Sequence, residues 1–214
     1  MTIKRVCSSR LLNDRASVTN ERAHGSSGAL PENDMSQAIS QTLTSQMIVV
    51  EHIRIPSAGS FEEVRVKLES MLPMLDTGIV AALRSGDLKY VTDYEENGPK
   101  LSIFDCRDHG ALLQIDGRKR HALQYEIGNP VTASKMTRHR LSAALYAPLR
   151  VVLLEDEQGR SVFEYDRPSS LFGQYDDERV TEVGRHLDAT WRRSCARLPN
   201  RKRLQRRRGP FSPA

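Results

Sequence analysis

The chain has 214 residues, 38% hydrophobic and 28% charged, with 13 Gly, 10 Pro and a net charge of +5. That length suits one domain with polar extra sequence or two small domains, and the composition excludes collagenous, prion-like and repetitive chains. Apolar runs such as Gly78 to Leu83 and Val151 to Leu154 fall far short of the roughly 20 residues that span a bilayer, so no membrane helix is predicted.

Residues 1 to 45 are rich in Ser, Asn, Thr and Gln without a helical or strand period, and they read as a disordered segment. A partner-binding arm and a misplaced start codon are the alternatives. The stretch Met1 to Arg15 lacks the apolar region a signal peptide needs, which predicts a cytoplasmic protein. Cys7, Cys106 and Cys195 are odd in number and form no CxxC pair, so reduced thiols are expected, with neither a disulfide framework nor a thiolate zinc site.

The single domain is placed at residues 46–198. Met47 to Ile55 is β-branched and apolar up to Pro56, which predicts a strand. Ser60 and Glu63 form a capping box before Phe61, Val64, Leu68 and Leu75 at helical spacing, and Pro73 ends or kinks that helix. Asp76 caps a helix over Thr77 to Ser85, closed by Gly86, and a third helix runs from Asp87 to Asn97. Leu101 to Phe104 and Ala111 to Ile115 read as strands around an Arg107-Asp108-His109-Gly110 turn, and Asp116-Gly117 predicts a tight hairpin into a strand over Lys119 to Ile127.

Asn129 as cap and Pro130 at the first helical position predict a helix to about Ala144. Leu149 to Glu155 and Ser161 to Asp166 flank a second hairpin turn. Val180, Val183, Leu187, Trp191 and Leu198 make one stripe of a closing helix, and Cys195 is expected as a small buried residue on it. Residues 199–214 read as a disordered basic tail. Residues 46–188 hold 18 Lys and Arg against 23 Asp and Glu, whereas residues 189–214 hold 9 against none, so the surplus positive charge belongs to the tail. Strands joined by hairpins with helices clustered between them predict an α+β two-layer sandwich, its mainly antiparallel sheet covered by helices on one face.

Four motifs in order, Arg107-Asp108-His109-Gly110-Ala111-Leu112, Tyr125-Glu126-Ile127-Gly128-Asn129-Pro130, Pro148-Leu149-Arg150-Val151-Val152 and Phe163-Glu164-Tyr165-Asp166-Arg167-Pro168, resemble the bacterial family called domain of unknown function 302. The resemblance covers roughly residues 53–198. Ile115 to Lys119 and the long helical stretch from Asp76 to Asn97 depart from it and mark a divergent branch. It implies an α+β fold with an antiparallel or mixed sheet and a homodimer. It implies no assigned reaction.

The ligand-binding candidates are Asp108, His109, Asn129, Tyr165 and Asp166. An Asp and a His in one turn can do acid-base work, although an Asp there more often caps its own backbone. A helix start at a strand end can meet an anion, but Asn129 reads first as a cap. Lys135, Arg138, His139 and Arg140 form a basic helix face, read as solvated. His121, His139 and His186 share no metal-ligand spacing, and no metal or other cofactor is predicted. A non-catalytic small-ligand-binding or sensory module is therefore expected. The alternatives are an enzyme using His109 as general base, and a weak, non-specific polyanion binder acting through the tail.

Overall fold

The structure, a computed structural model, describes residues 44–198. The segments expected to be disordered, 1–45 up to its last two residues and the basic tail 199–214, lie outside the described residues, as does Cys7. Residues 44–48 carry no regular structure, and the compact unit of strands and helices begins at Val49.

The first strand, β1 (His52–Pro56), starts five residues later than its apolar run and carries its pairing through the proline. Helix α1 (Phe61–Met71) begins on the predicted capping box: the Glu63 amide donates to Ser60 Oγ at 3.3 Å and the Ser60 amide to Glu63 Oε2 at 2.8 Å. It buries Phe61, Val64 and Leu68, one face at spacings of three and four. Helices α2 (Thr77–Ser85) and α3 (Leu88–Asn97) follow with Asp76 and Asp87 as caps, and Gly86 closes α2 at φ 73°.

Strand β2 (Ser102–Asp108) is longer than predicted, and the expected strand Ala111 to Ile115 does not form. In its place stand a one-turn helix, α4 (His109–Leu112), and a 3₁₀ turn over Leu113–Asp116. Two local causes decide this. Asp108 caps the turn by accepting from the Ala111 amide at 2.9 Å, and Ala, Leu and Gln are good helix formers. The Asp116-Gly117 hairpin also fails, because a type I′ turn needs positive φ at both centres and only Gly117, at 68°, has it. Gly117 instead closes the 3₁₀ turn, and β3 (Ala122–Gly128) follows.

Helix α5 (Pro130–Thr137) starts on Asn129 as predicted but stops well short of Ala144. The hydroxyls of Ser134 and Thr137 turn back onto the carbonyls of Val131 and Ala133, a competition that weakens a helix interior. A 3₁₀ stretch over Leu141–Tyr146 leads into β4 (Leu149–Glu155) and β5 (Ser161–Asp166), the second predicted hairpin, bounds unchanged. A short helix that the periodicity did not reveal, α6 (Pro168–Gly173), precedes α7 (Glu178–Cys195).

The five strands form one antiparallel sheet in the order β1-β5-β4-β3-β2. Alternation sends Ile55, Leu123, Tyr125, Ile127, Val151, Leu153 and Phe163 to the helix side, where they join the core with α1, α6 and α7. Arg54, Gln124, Glu126, Arg150 and Glu164 take the other side. Trp191 of α7 is fully buried, its ring edge-on to Phe163 and Tyr165 with centroids 6.2 and 5.9 Å away. Burial pushes the nearby Cys195 thiol up to about 12. Ile79, Tyr94 and Val131 make a smaller cluster joining α2, α3 and α5. The layers are those of an α+β fold with helices on one face of an antiparallel sheet. No helix among the described residues is long and apolar enough to cross a membrane.

The start of α7 supplies a pH-dependent test. Asp177 caps the helix and accepts from the Arg179 amide and guanidinium, which hold its carboxyl at about 2, below the usual 3.8. A carboxyl depressed on folding adds stability above its unfolded pKa and loses it as pH falls through the folded one. Between about pH 4 and pH 2 the melting temperature of Asp177→Asn should therefore fall less steeply than that of the parent. Parallel slopes in a calorimetric pH series would rule the contribution out.

Candidate functional site

The five sequence candidates do not share one place. Asp108 ends β2 opposite Leu123, while Asn129 follows the far end of β3. Six residues of strand separate those positions, roughly 20 Å at the usual rise. Asp108 and Asp166 lie on strands three places apart in the sheet, roughly 14 Å before any offset along the strands. Tyr165 points to the helix side against Trp191 and Asp166 to the opposite side, as adjacent strand residues must.

Four of the five candidates also have a structural occupation, and His109 is the exception. The Asp108 carboxylate caps α4, and the exposed His109 ring makes no hydrogen bond or ion pair among the described residues. Asp166 Oδ1 lies 3.0 Å from His52 Nδ1. Tyr165 is pushed up to about 12, chiefly by burial, and stays protonated. Asn129 is buried; its amide donates to the Pro99 carbonyl at 2.9 Å and its oxygen accepts from the Thr132 amide at 3.0 Å, fastening the turn after α3 to the first turn of α5.

Asp108 borders a polar hollow of about 350 Å³ with Glu62, Arg65 and His121. Its cation is already engaged: Arg65 bonds Glu62 at 2.5 and 2.8 Å and Glu69 at 3.1 Å, and Glu69 in turn accepts from the buried Tyr125 hydroxyl at 3.0 Å. His121 lies flat on Phe61, centroids 4.8 Å apart. These groups brace α1 against the sheet and leave little unspent donor capacity for a ligand.

Asn129 borders a different space. On one side is an apolar cavity of about 80 Å³, walled by Phe104, Met136, Pro148, Phe172 and Leu187. A β-bulge forms one wall, because Ile103 pairs with Ile127 and Asp105 with Glu126, leaving Phe104 as the extra residue of β2. A Cβ on Gly128 would make an ordinary van der Waals contact with the Phe104 ring at 3.4 Å. On the other side is a polar space of about 200 Å³ bordered by Glu95, Lys100, Lys135 and His186. Asn129 and Thr132 line both, so the two spaces flank the first turn of α5.

Sequence reasoning named Asn129 and the Lys135 face but missed Phe104, Lys100 and His186, which only the bulge and the packing of α7 against α5 bring here. Among the described residues no group of three or more His, Cys, Asp and Glu is arranged to hold a metal ion.

Sheet and helices together define an α+β protein, with a small cleft at the carboxyl end of the interior strand β3. Residues 95–196 match the model of the family described as "Domain of unknown function DUF302". A solved structure, "Crystal structure of uncharacterized conserved protein DUF302 from Bacillus stearothermophilus", is 16% identical, covers 69% of this chain and 94% of its own, and gives a TM-score of 0.48. No curated protein matches the chain.

Proposed function

We propose that the domain is a non-catalytic module that binds a small molecule in the cleft at the first turn of α5. The observation that carries this reading is an apolar cavity and a polar space side by side, both lined by Asn129 and Thr132, since small-molecule sites combine an apolar body with a few polar groups that fix orientation. The rival use of His109 as a general base has less support. Such a base is ordinarily oriented by a third group, and here Asp108 is spent on the α4 cap while Asp166 faces His52.

A ligand that binds only the native state raises apparent stability, by about 2.7 kcal/mol at a hundredfold excess over Kd. A thermal-shift screen of small metabolites against the full chain should give compounds whose stabilisation disappears in Ala133→Leu, where the larger side chain enters the apolar cavity. Compounds that stabilise this variant as much as the parent would place binding elsewhere and overturn the assignment.

A further inference from the structure

We infer that the cleft selects a small organic anion, a carboxylate with a short aliphatic body, its head between Lys100 and Lys135 and its tail against Met136, Phe172 and Leu187. This rests on the reading of the cleft as a binding site and adds the chemistry of its ligand.

Charge at the mouth decides the sign. Lys135 is paired with Glu95. Among the described residues Lys100 is held by neutral oxygens alone, the carbonyls of Glu95 at 2.5 Å and Glu96 at 3.2 Å at the end of α3, so no carboxylate among them cancels its charge. Two ammonium groups thus border the space against the single carboxylate of Glu95, with His186 beside them. An entering carboxylate takes up that surplus, and an entering ammonium meets it as repulsion.

Size sets the tail. An apolar cavity of about 150 Å³ accepts benzene; the space here is about 80 Å³, which fits a chain of about three carbons on the same scale. The polar side gives the head access to water and to both lysines. Nothing at the apolar side offers a partner to a second charged group, so a dicarboxylate gains less than a monocarboxylate of equal length.

The test is an amide NMR titration of the full chain with butyrate, acetate, butanol and butylamine. Butyrate should move the amides of Gly128, Thr132 and Leu187, with a Kd at least tenfold below those of acetate and butylamine. In Lys100→Gln/Lys135→Gln the preference for butyrate over butanol should disappear while butanol binding stays unchanged. Equal binding of butyrate, butanol and butylamine would overturn the anion assignment and leave the cleft as a binding site. If none of the four moves those amides, the cleft is not a binding site and both readings fall.

Discussion

Trp191→Ala should lower the unfolding free energy by about 3 to 5 kcal/mol, the range for deleting a large buried aromatic. Trp191 has no exposed surface, and its ring is the central contact between α7 and the sheet, edge-on to both Phe163 and Tyr165. The loss combines transfer of the indole with a cavity between layers that the rigid sheet cannot close. Its ring N–H finds no acceptor among the described residues, so Trp191→Phe removes no hydrogen bond and should cost much less. Urea denaturation followed by far-UV circular dichroism suits the comparison, because the chain has one tryptophan and the variants remove it. A loss below about 1 kcal/mol for the alanine variant would mean that α7 is not docked on the sheet through this residue.

Gly110→Ala should cost about 1 to 3 kcal/mol, through overpacking rather than a cavity. A Cβ at this position would stand 2.2 Å from the Arg120 carbonyl oxygen and 2.9 Å from the Ala122 nitrogen, both backbone atoms that no rotamer change can move. The helix α4 must lift from the start of β3. Gly117→Ala makes the comparison, since there the space is open and the cost is the left-handed backbone alone, about 1 to 2 kcal/mol. Hydrogen exchange should show the Gly110 variant loosening α4 and the first residues of β3 while the β4-β5 hairpin keeps its protection. Uniform loss across the sheet, or no loss at all, would contradict the close-approach account.

The same segment shows where the sequence was legible. Caps are written within a few residues, and so Ser60, Asp76 and Asn129 all cap the helices they were expected to cap. The β4-β5 hairpin was equally plain, for its alternation and its turn agree. Between β2 and β3 two local signals competed, a short apolar run and an Asp-Gly dipeptide, and neither says whether a second strand is there to pair with. The run became helical and left Leu112 and Ile115 exposed at 67% and 90%, a result that no period-2 reading anticipates. The cleft was less visible still. Phe104 reaches it through a one-residue slip in strand pairing, and Lys100, Lys135 and His186 come from three separate segments, so only Asn129 and the Lys135 face carried a local signature.

The strand order also bears on self-association through backbone pairing. It leaves β1 and β2 at the borders of the sheet, and an unpaired border strand is a template on which other chains can add. Both borders are blunted. β1 is five residues long, bears His52 and Arg54, and ends in Pro56, which has no amide to donate. β2 is interrupted by the bulge at Phe104, and its first half is capped by the segment before α2: the Ile103 amide donates to the Pro73 carbonyl and its carbonyl accepts from the Leu75 amide, each at 2.8 Å. Beyond the bulge it carries Arg107 and Asp108. Fibril growth from the folded domain thus lacks a flat border to start from, and aggregation on heating should follow unfolding of the sheet rather than precede it.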